Sequence, residues 1–450
     1  MEAAQMRPEL FYTPLAALIP PARNARVHTK TQLNKIAESL KVYGFISPIV
    51  IDAENRIVVG VARVEAAKML GLTEAPAVRV THLSDVQLRA YRLADNRLAE
   101  DGRWDTIVLA EELLVLSEQP IELVTTGFEL AEIDRIVLEA DEAKTQGADD
   151  ALDETPDLRA TAVSRPGDVW SMEDGRHRLI CGDALQPETF YALMPDGEVA
   201  DMVFTDAPYN VPIQGFVGGS GRIKQREFAM ASGEMSPQAF LDFLTQVHVN
   251  LAAKFKDGAI AFSCMDWRGL STLEAAAKAA GFEVKNLIVW DKGVGAMGTF
   301  YRSQHELILA LKWGEAGHTN TFGLGDTGRS RTNVWACRGV SGFGKDRMEA
   351  IAMHPTVKPV SLVKEAILDV SRRGEIVLDA FGGSGTTLIA AHKAGRRSRL
   401  VEIDPLYCDT ICRRWIALTG RQPIRQDGLT FEAAEAEAMV AETQPTEVAA

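Results

Sequence analysis

The sequence predicts a doubly wound α/β domain with a mostly parallel sheet in its C-terminal part, preceded by a smaller domain. Three observations carry that expectation. From Pro166 onward, short apolar runs alternate with helix-length segments, the rhythm of β-α-β units. One run ends in an acid followed by a glycine turn that opens a helix, Val377-Leu-Asp-Ala-Phe-Gly-Gly-Ser-Gly-Thr-Thr387, the layout of a ligand crevice at the carboxyl ends of parallel strands. A stretch poor in large apolar residues and rich in Asp, Thr and Ala, residues 143–165, separates this region from what precedes it.

In chain order, residues 1–142 mix apolar runs with helical patterns and end in the amphipathic ELAEIDRIVLEADEA. Residues 143–165 read as a linker. Within 166–426 the strands are expected at RLICGD, DMVFTD, AIAFSC, LIVWDK, ELILALKW, EIVLDAF and SRLVEID. Residues 427–450 are acidic and Ala-rich, and are expected to fray into disorder. No internal repeat is visible.

Composition narrows the class. A chain of 450 residues with 46% hydrophobic and 24% charged side chains is long enough for two or three domains with full cores. No apolar run approaches the roughly 20 residues of a membrane span, and the first residues lack a signal-peptide pattern, so a cytoplasmic location is expected. The five cysteines are odd in number and scattered, without metal-site spacing. They are expected to be reduced thiols, with no disulfide framework and no metal. A net charge of −14 disfavours phosphate contacts on its face, yet residues 166–426 carry 30 basic and 29 acidic side chains. The acidity lies in the N-terminal part and the tail, so nucleic acid is not excluded from the middle.

Two segments carry chemistry. In the first, Asp379 ends a strand, the glycines allow close backbone approach and positive φ, and the helix opening at Thr386 offers unpaired N–H groups. A second strand ends in Glu402, 23 residues after Asp379, the spacing at which a carboxylate reaches ribose hydroxyls. Alone, such a turn is equally a structural tight turn or a generic dinucleotide site. The other segment is Asp206-Ala-Pro-Tyr209, at the end of the strand Met202-Val-Phe-Thr205. An exocyclic base amine is a poor nucleophile because its lone pair is delocalised. Asp206 can accept one of its hydrogens and the Ala207 carbonyl, held extended by Pro208, the other. Tyr209 offers a face for an extruded base. Alone, these four residues are equally a strand-terminating turn.

Together, these segments resemble the beta class of S-adenosylmethionine-dependent DNA amino-methyltransferases, in which the catalytic motif precedes the cofactor motif. His354-Pro-Thr-Val-Lys-Pro359 is similar to that class's HPTxKP element, and Leu179-Ile-Cys-Gly-Asp183 looks like its adenine-contacting segment. The resemblance implies a Rossmann-like fold and a catalytic set of Asp206, Ala207, Pro208 and Tyr209. Around S-adenosylmethionine it implies Asp183, His354, Lys358, Asp379, Phe381, Gly383, Gly385, Thr386 and Glu402. The family motif commonly has proline where this chain has Ala207; that position works through its carbonyl, so rigidity is affected rather than function. Asp206, where cytosine-N4 members usually carry Ser, implies N6 of adenine.

Double-stranded DNA is the expected partner. Two glycine-rich stretches with spaced cations suit phosphate contacts, one with Arg222, Lys224 and Arg226, the other with Arg329 and Arg331; ordinary solvated loops are the alternative. No membrane partner is expected, and a homodimer is a candidate assembly. Residues 14–105 resemble the ParB-like N-terminal fold, an α+β domain, through Asn24-Ala-Arg26, the run Leu40–Val50, Ile57–Arg63 and Ala94-Asp-Asn-Arg-Leu98. Many relatives carry Gly-His or Gly-Glu where this chain has Gly60-Val61, which puts nucleotide hydrolysis and nuclease activity in doubt. Fusions of these two domains are common in phages and prophages, and the resemblance implies modification of invading or packaged DNA, as in restriction-modification. The alternatives are a cytosine-N4 methyltransferase and a ParB-like DNA-binding protein whose methylase half is retired.

Overall fold

The computed structural model describes residues 9–117, 119–144, 159, 161–195, 197–211, 231–293, 295, 301–322, 331–337 and 358–443. Two compact units emerge, Met1–Ala143 and Lys144–Ala450. Among the described residues, no helix is long and apolar enough to cross a membrane.

The first unit holds a four-stranded sheet of β1 (Leu10–Pro14), β2 (Ile49–Ile51), β3 (Ile57–Val59) and β4 (Glu74–Arg79), in the order β1-β4-β2-β3. Its core is Leu15, Leu18, Ile49, Ile51, Ile57, Val64 and Ala77. Helix Lys30–Tyr43 starts where the Thr29 hydroxyl accepts the Gln32 N–H, and ends at Gly44 with φ +80°, the left-handed conformation that glycine adopts without strain. Gly60, with φ +100°, joins β3 to helix Val61–Met69, and a Cβ there would lie 2.8 Å from Ile49. Arg63 is half-buried and donates to the Ser47 carbonyl at 2.8 Å. Asn96 accepts from Arg26, and Arg97 pairs with Asp101 at 2.8 Å. Helices Thr106–Ser117 and Leu130–Lys144 bury Ala110, Leu113, Ile133, Ile136 and Ala140 in a cluster of their own. The amphipathic stretch seen in the sequence is thus half of a helical pair.

The second unit is built on ten strands in the order β11-β9-β10-β8-β7-β12-β13-β6-β5-β14. They are β5 (Val169–Met172), β6 (His177–Cys181), β7 (Ala200–Thr205), β8 (Phe255–Met265), β9 (Glu283–Asp291), β10 (His305–Lys312), β11 (Val334–Ala336), β12 (Ile376–Asp379), β13 (Arg397–Glu402) and β14 (Ile424–Arg425). The central strands β8, β7, β12, β13 and β6 run parallel, while β10 pairs antiparallel with both β8 and β9. All seven apolar runs expected as strands are strands. The five parallel ones read as continuous apolar runs because helices cover both faces of a parallel sheet. Val203, Leu378, Val401 and Ile180 pack with Phe240, Phe243, Leu244 and Val247 of helix Pro237–Ala252. Alternate residues Met202, Val377, Leu400 and Leu179 are equally buried, and Leu400 approaches Ile411 of helix Pro405–Thr419 beside Gly382. The result is the doubly wound fold.

Two boundary expectations are corrected. Val163 and Ser164, assigned to the linker, are buried, and the Asp409 carboxylate accepts both of their N–H groups at 2.7 and 2.8 Å. A buried carboxylate needs such donors, so the fold claims the linker's last residues. The tail likewise contains a helix, Phe431–Thr443. Phe431 is buried edge-on against Trp170 with centroids 5.3 Å apart, and Glu435 pairs with Arg413 at 2.7 Å. One anchored aromatic and one ion pair outweigh the acidic composition over this stretch.

Candidate active site

The parallel strands place the chemistry along one edge. β7 lies beside β12 with Leu378 level with Val203, β12 beside β13 with Asp379 level with Leu400, and β13 beside β6 with Glu402 level with Cys181. Asp206, Phe381, Glu402 and Asp183 therefore stand at the carboxyl ends of four adjacent parallel strands. The chain steps outward from β7 to β8 on one side and from β12 to β13 on the other. That is a topological switch point, where open α/β sheets form their ligand crevice.

The glycine loop is braced from both sides. Asp379 accepts the Thr387 hydroxyl at 2.6 Å and the Phe381 N–H at 3.0 Å. Glu402 accepts the Gly383 N–H at 2.7 Å and the Asp404 N–H at 2.8 Å. Burial lifts both carboxyls to about 7. Gly383 and Gly385 take φ of +51° and +88°. A Cβ on Gly385 would stand 3.0 Å from Ile411, whereas one on Gly383 would meet no atom of the described residues closer than 4.0 Å, so among the described residues the loop is packed at Gly385 and open at Gly383. Thr386 opens helix Thr386–Lys393. Arg414, which sequence reasoning passed over, is buried and donates to the Ser384 carbonyl at 3.0 Å. Asp183 is half-buried, one oxygen bound to the Leu185 N–H at 2.9 Å.

At the end of β7 the Asp206 carboxylate is gripped twice. Lys358 Nζ donates to Oδ2 at 2.6 Å, and the Tyr209 hydroxyl donates to Oδ1 at 2.7 Å. Behind them lies Glu306, at the start of β10, whose Oε2 is 2.9 Å from Lys358 Nζ and 3.2 Å from the Tyr209 hydroxyl, and whose Oε1 is bound by Lys292. The Lys358 side chain is 5% exposed and Asp206 24%, so the open side of the cluster is that of Asp206. Burial raises the Asp206 carboxyl even against Lys358. For Glu306, burial is outweighed by Lys358 and Lys292, which hold it down at about 2. Burial alone would lower Lys358, but Asp206 and Glu306 carry it well above the ordinary lysine value. Lys358, which the resemblance assigns to the cofactor, is thus brought to Asp206. Glu306 and Lys292 have no assigned role in the sequence: Glu306 ends the segment Tyr301–Glu306, which resembles a family segment without a defined role, and Lys292 shows only as a charge at the end of an apolar strand.

The other expected residues divide. Ala207 is buried and Pro208 half-buried beside Asp206. Arg331, expected on DNA, is instead tied to Asp369 at 3.0 Å and Glu365 at 3.4 Å and lies over Trp335: a buried carboxylate at Asp369 needs a cation. Arg222, Lys224, Arg226, Arg329 and His354 lie outside the described residues. Away from this edge, Glu173, His177 and His392 converge with ligand atoms within 4.8 Å. The Ser398 N–H donates to His177 Nδ1 at 3.1 Å, which leaves the ring proton on Nε2, the atom facing His392 at 3.3 Å. A nitrogen carrying a proton is no metal ligand, so His177 donates to His392, with the Glu173 carboxylate 3.5 Å from His392 Nδ1.

Family comparison bears on this geometry directly. Residues 200–413, which hold Asp206, Lys358 and the glycine loop, match a DNA methylase family of the N6/N4 type. The chain carries a DNA methylase domain of the N6/N4 family. Residues 5–97 of this methyltransferase match the ParB N-terminal domain, and 108–166 a ParB-methyltransferase HTH domain, which covers the helical pair and runs into the stretch expected as linker. The methyltransferase is 38% identical over 79 residues to the ParB-like nuclease domain-containing protein YnaK of Escherichia coli, covering 18% of this chain and 91% of that one. It is 23% identical over 228 residues to the type II methyltransferase M2.MboI of Moraxella bovis, covering 49% and 81%. Among solved structures it resembles the M1.HpyAVI-SAM complex at 20% identity, TM-score 0.37, covering 53% of this chain and 98% of that one. For PvuII DNA methyltransferase (cytosine-N4-specific) the values are 14%, 0.41, 62% and 94%.

Proposed function

We propose that this DNA methyltransferase moves a methyl group from S-adenosylmethionine to an exocyclic amine in double-stranded DNA, N6 of adenine, at a specific sequence, with the base turned out of the duplex. The observation that carries the reading is the part-exposed Asp206 carboxylate standing at the carboxyl end of β7, next to the strand β12 that runs into the glycine loop.

The residues present suit the methyl donor. Glu402 has both oxygens fixed by backbone N–H groups with lone pairs left for the ribose hydroxyls, and Asp183 accepts from the adenine amine. Among the described residues, no side chain comes within 4 Å of a Cβ placed at Gly383. Phe381, Gly385, Thr386 and Asp379 shape the same pocket, and His354 is assigned to it from the sequence motif alone. When bound, the donor supplies a sulfonium-activated methyl group. Asp206 and the Ala207 carbonyl grip the two amine hydrogens, which draws the nitrogen lone pair out of the ring and points it at the methyl carbon. As the N–C bond forms and the S–C bond breaks, the proton lost by nitrogen goes to Asp206, whose affinity for it is enhanced by burial. No enzyme-bound intermediate is required. The Tyr209 ring flanks the base while its hydroxyl steadies Asp206.

Adenine is supported by Asp206 standing where serine is usual in cytosine-N4 enzymes. Arg222, Lys224, Arg226 and Arg329 are proposed to contact DNA phosphates, and the ParB-type region to help hold the duplex. The test is transfer of labelled methyl groups from the donor to unmethylated DNA, followed by identification of the modified nucleoside. N6-methyladenine is expected; N4-methylcytosine overturns the base assignment, and label found only in protein overturns DNA as substrate.

A further inference from the structure

We infer that Glu306 is a positioning residue for methyl transfer: it holds Lys358 and the Tyr209 hydroxyl as second acceptor when the Asp206 carboxylate takes up the proton of the amine. The inference rests on the reading of Asp206 as amine acceptor.

Asp206 has each oxygen taken by an internal donor, Lys358 at 2.6 Å and Tyr209 at 2.7 Å. Each oxygen keeps a second lone pair for an amine hydrogen, but once the carboxylate takes up the proton lost by the nitrogen it no longer balances the Lys358 ammonium. A buried ammonium left so is prohibitive without another anion. Glu306 already stands 2.9 Å from the same Nζ. The Tyr209 hydroxyl has one proton and two carboxylates in reach, Asp206 and Glu306 at 3.2 Å, so it donates to one or the other. Lys292 fixes the far oxygen of Glu306. Two lysines thus balance two carboxylates of unlike character. Glu306 stays ionised, whereas Asp206, pushed up by burial and next to a second anion, is the one that exchanges partners and takes a proton.

The groups facing Asp206 are Lys358 ahead of helix Val360–Val370, Tyr209 on its own loop, Glu306 of β10, Lys292 after β9, Cys264 of β8 and Asp379 of β12. Two substitutions in the full chain change this charge in opposite senses. Glu306→Gln removes an anion that opposes ionisation of Asp206, and Lys292→Met uncovers that anion. With labelled methyl transfer to DNA followed across pH, Glu306→Gln is expected to lower kcat about tenfold or more at an unchanged donor KM, and to move the acid limb of kcat to lower pH. Lys292→Met is expected to move that limb to higher pH. A wild-type kcat and profile in Glu306→Gln overturns the inference, and so does a fall in kcat with the limb unmoved, the mark of a merely structural role. Should Glu306→Gln fail to fold, the limb in Lys292→Met decides by itself: unmoved or moved downward, it overturns the inference. Asp206→Ala, run alongside, separates the two ideas. Full turnover there sinks the reading of Asp206, while a dead Asp206→Ala beside an unaltered Glu306→Gln sinks only the role of Glu306.

Discussion

Replacing Asp206 by alanine tests the core of the chemistry, and the structure sets the size of each effect. The side chain contacts Lys358 and Tyr209, but neither is orphaned by its loss: Glu306 remains 2.9 Å from the ammonium and 3.2 Å from the hydroxyl. The folding cost should therefore stay near 1 kcal/mol, well below the roughly 3–5 kcal/mol of an abandoned buried ion. Donor binding draws on the ends of β12, β13 and β6 and should change less than about threefold. Turnover is another matter. Removing the one charged acceptor that grips the amine should cost about 10³-fold in kcat, on the order of 4 kcal/mol of transition-state stabilisation. Calorimetric titration of the methyl donor, denaturant melts, and transfer of labelled methyl to DNA measure the three quantities. Turnover within tenfold of wild type would remove Asp206 from the mechanism, and loss of donor binding in step with turnover would mean the two half-sites are not separate.

Donor binding should tighten as pH rises from 6 to 8, because Glu402, lifted by burial from 4.5 to about 7, must be ionised to accept two hydroxyls; affinity measured across that range checks it. The same shift has the opposite sign for the unliganded fold. Asp379 and Glu402 hold their protons to about 7 when folded, so ionisation of the unfolded chain erodes stability as pH climbs from their ordinary values to 7, and melts should be steadier near pH 5 than near pH 8. Gly385→Ala forces a side chain into φ +88° with its Cβ 3.0 Å from Ile411; a loss of about 1–3 kcal/mol in denaturant melts, with weakened donor binding, is expected. Phe431→Ala should remove about 3 kcal/mol of packing against Trp170 and speed amide exchange through Phe431–Thr443, leaving kcat little altered.

Much of the architecture was legible in the chain itself. A strand buried on both faces must be apolar along its length, so the runs of the central strands are recognisable locally, and β9, buried at Ile288 and Trp290, shows by its shorter apolar stretch. A glycine turn between strand and helix announces itself because few other residues can adopt its φ. The tetrapeptide proposed as catalytic and the acid ending β13 are legible in the same way, each inside a handful of consecutive residues. Boundaries fared worse. Ser164 and Phe431 look like linker and tail until Asp409 and Trp170, far along the chain, supply a bond and a surface.

The amino-acid order alone therefore determined the strands, the glycine loop and the strand-end acids, Asp206 among them, since each depends on short-range sterics and apolar periodicity. Only tertiary structure decided which charges face one another. Lys358 lies 152 residues from Asp206 and Tyr209 lies 97 from Glu306, and no local rule pairs ions across such distances. The sheet does so by setting β7 and β10 on either side of β8, where burial makes every carboxylate find a cation and thereby settles which of two acids stays charged and which is left to exchange its proton.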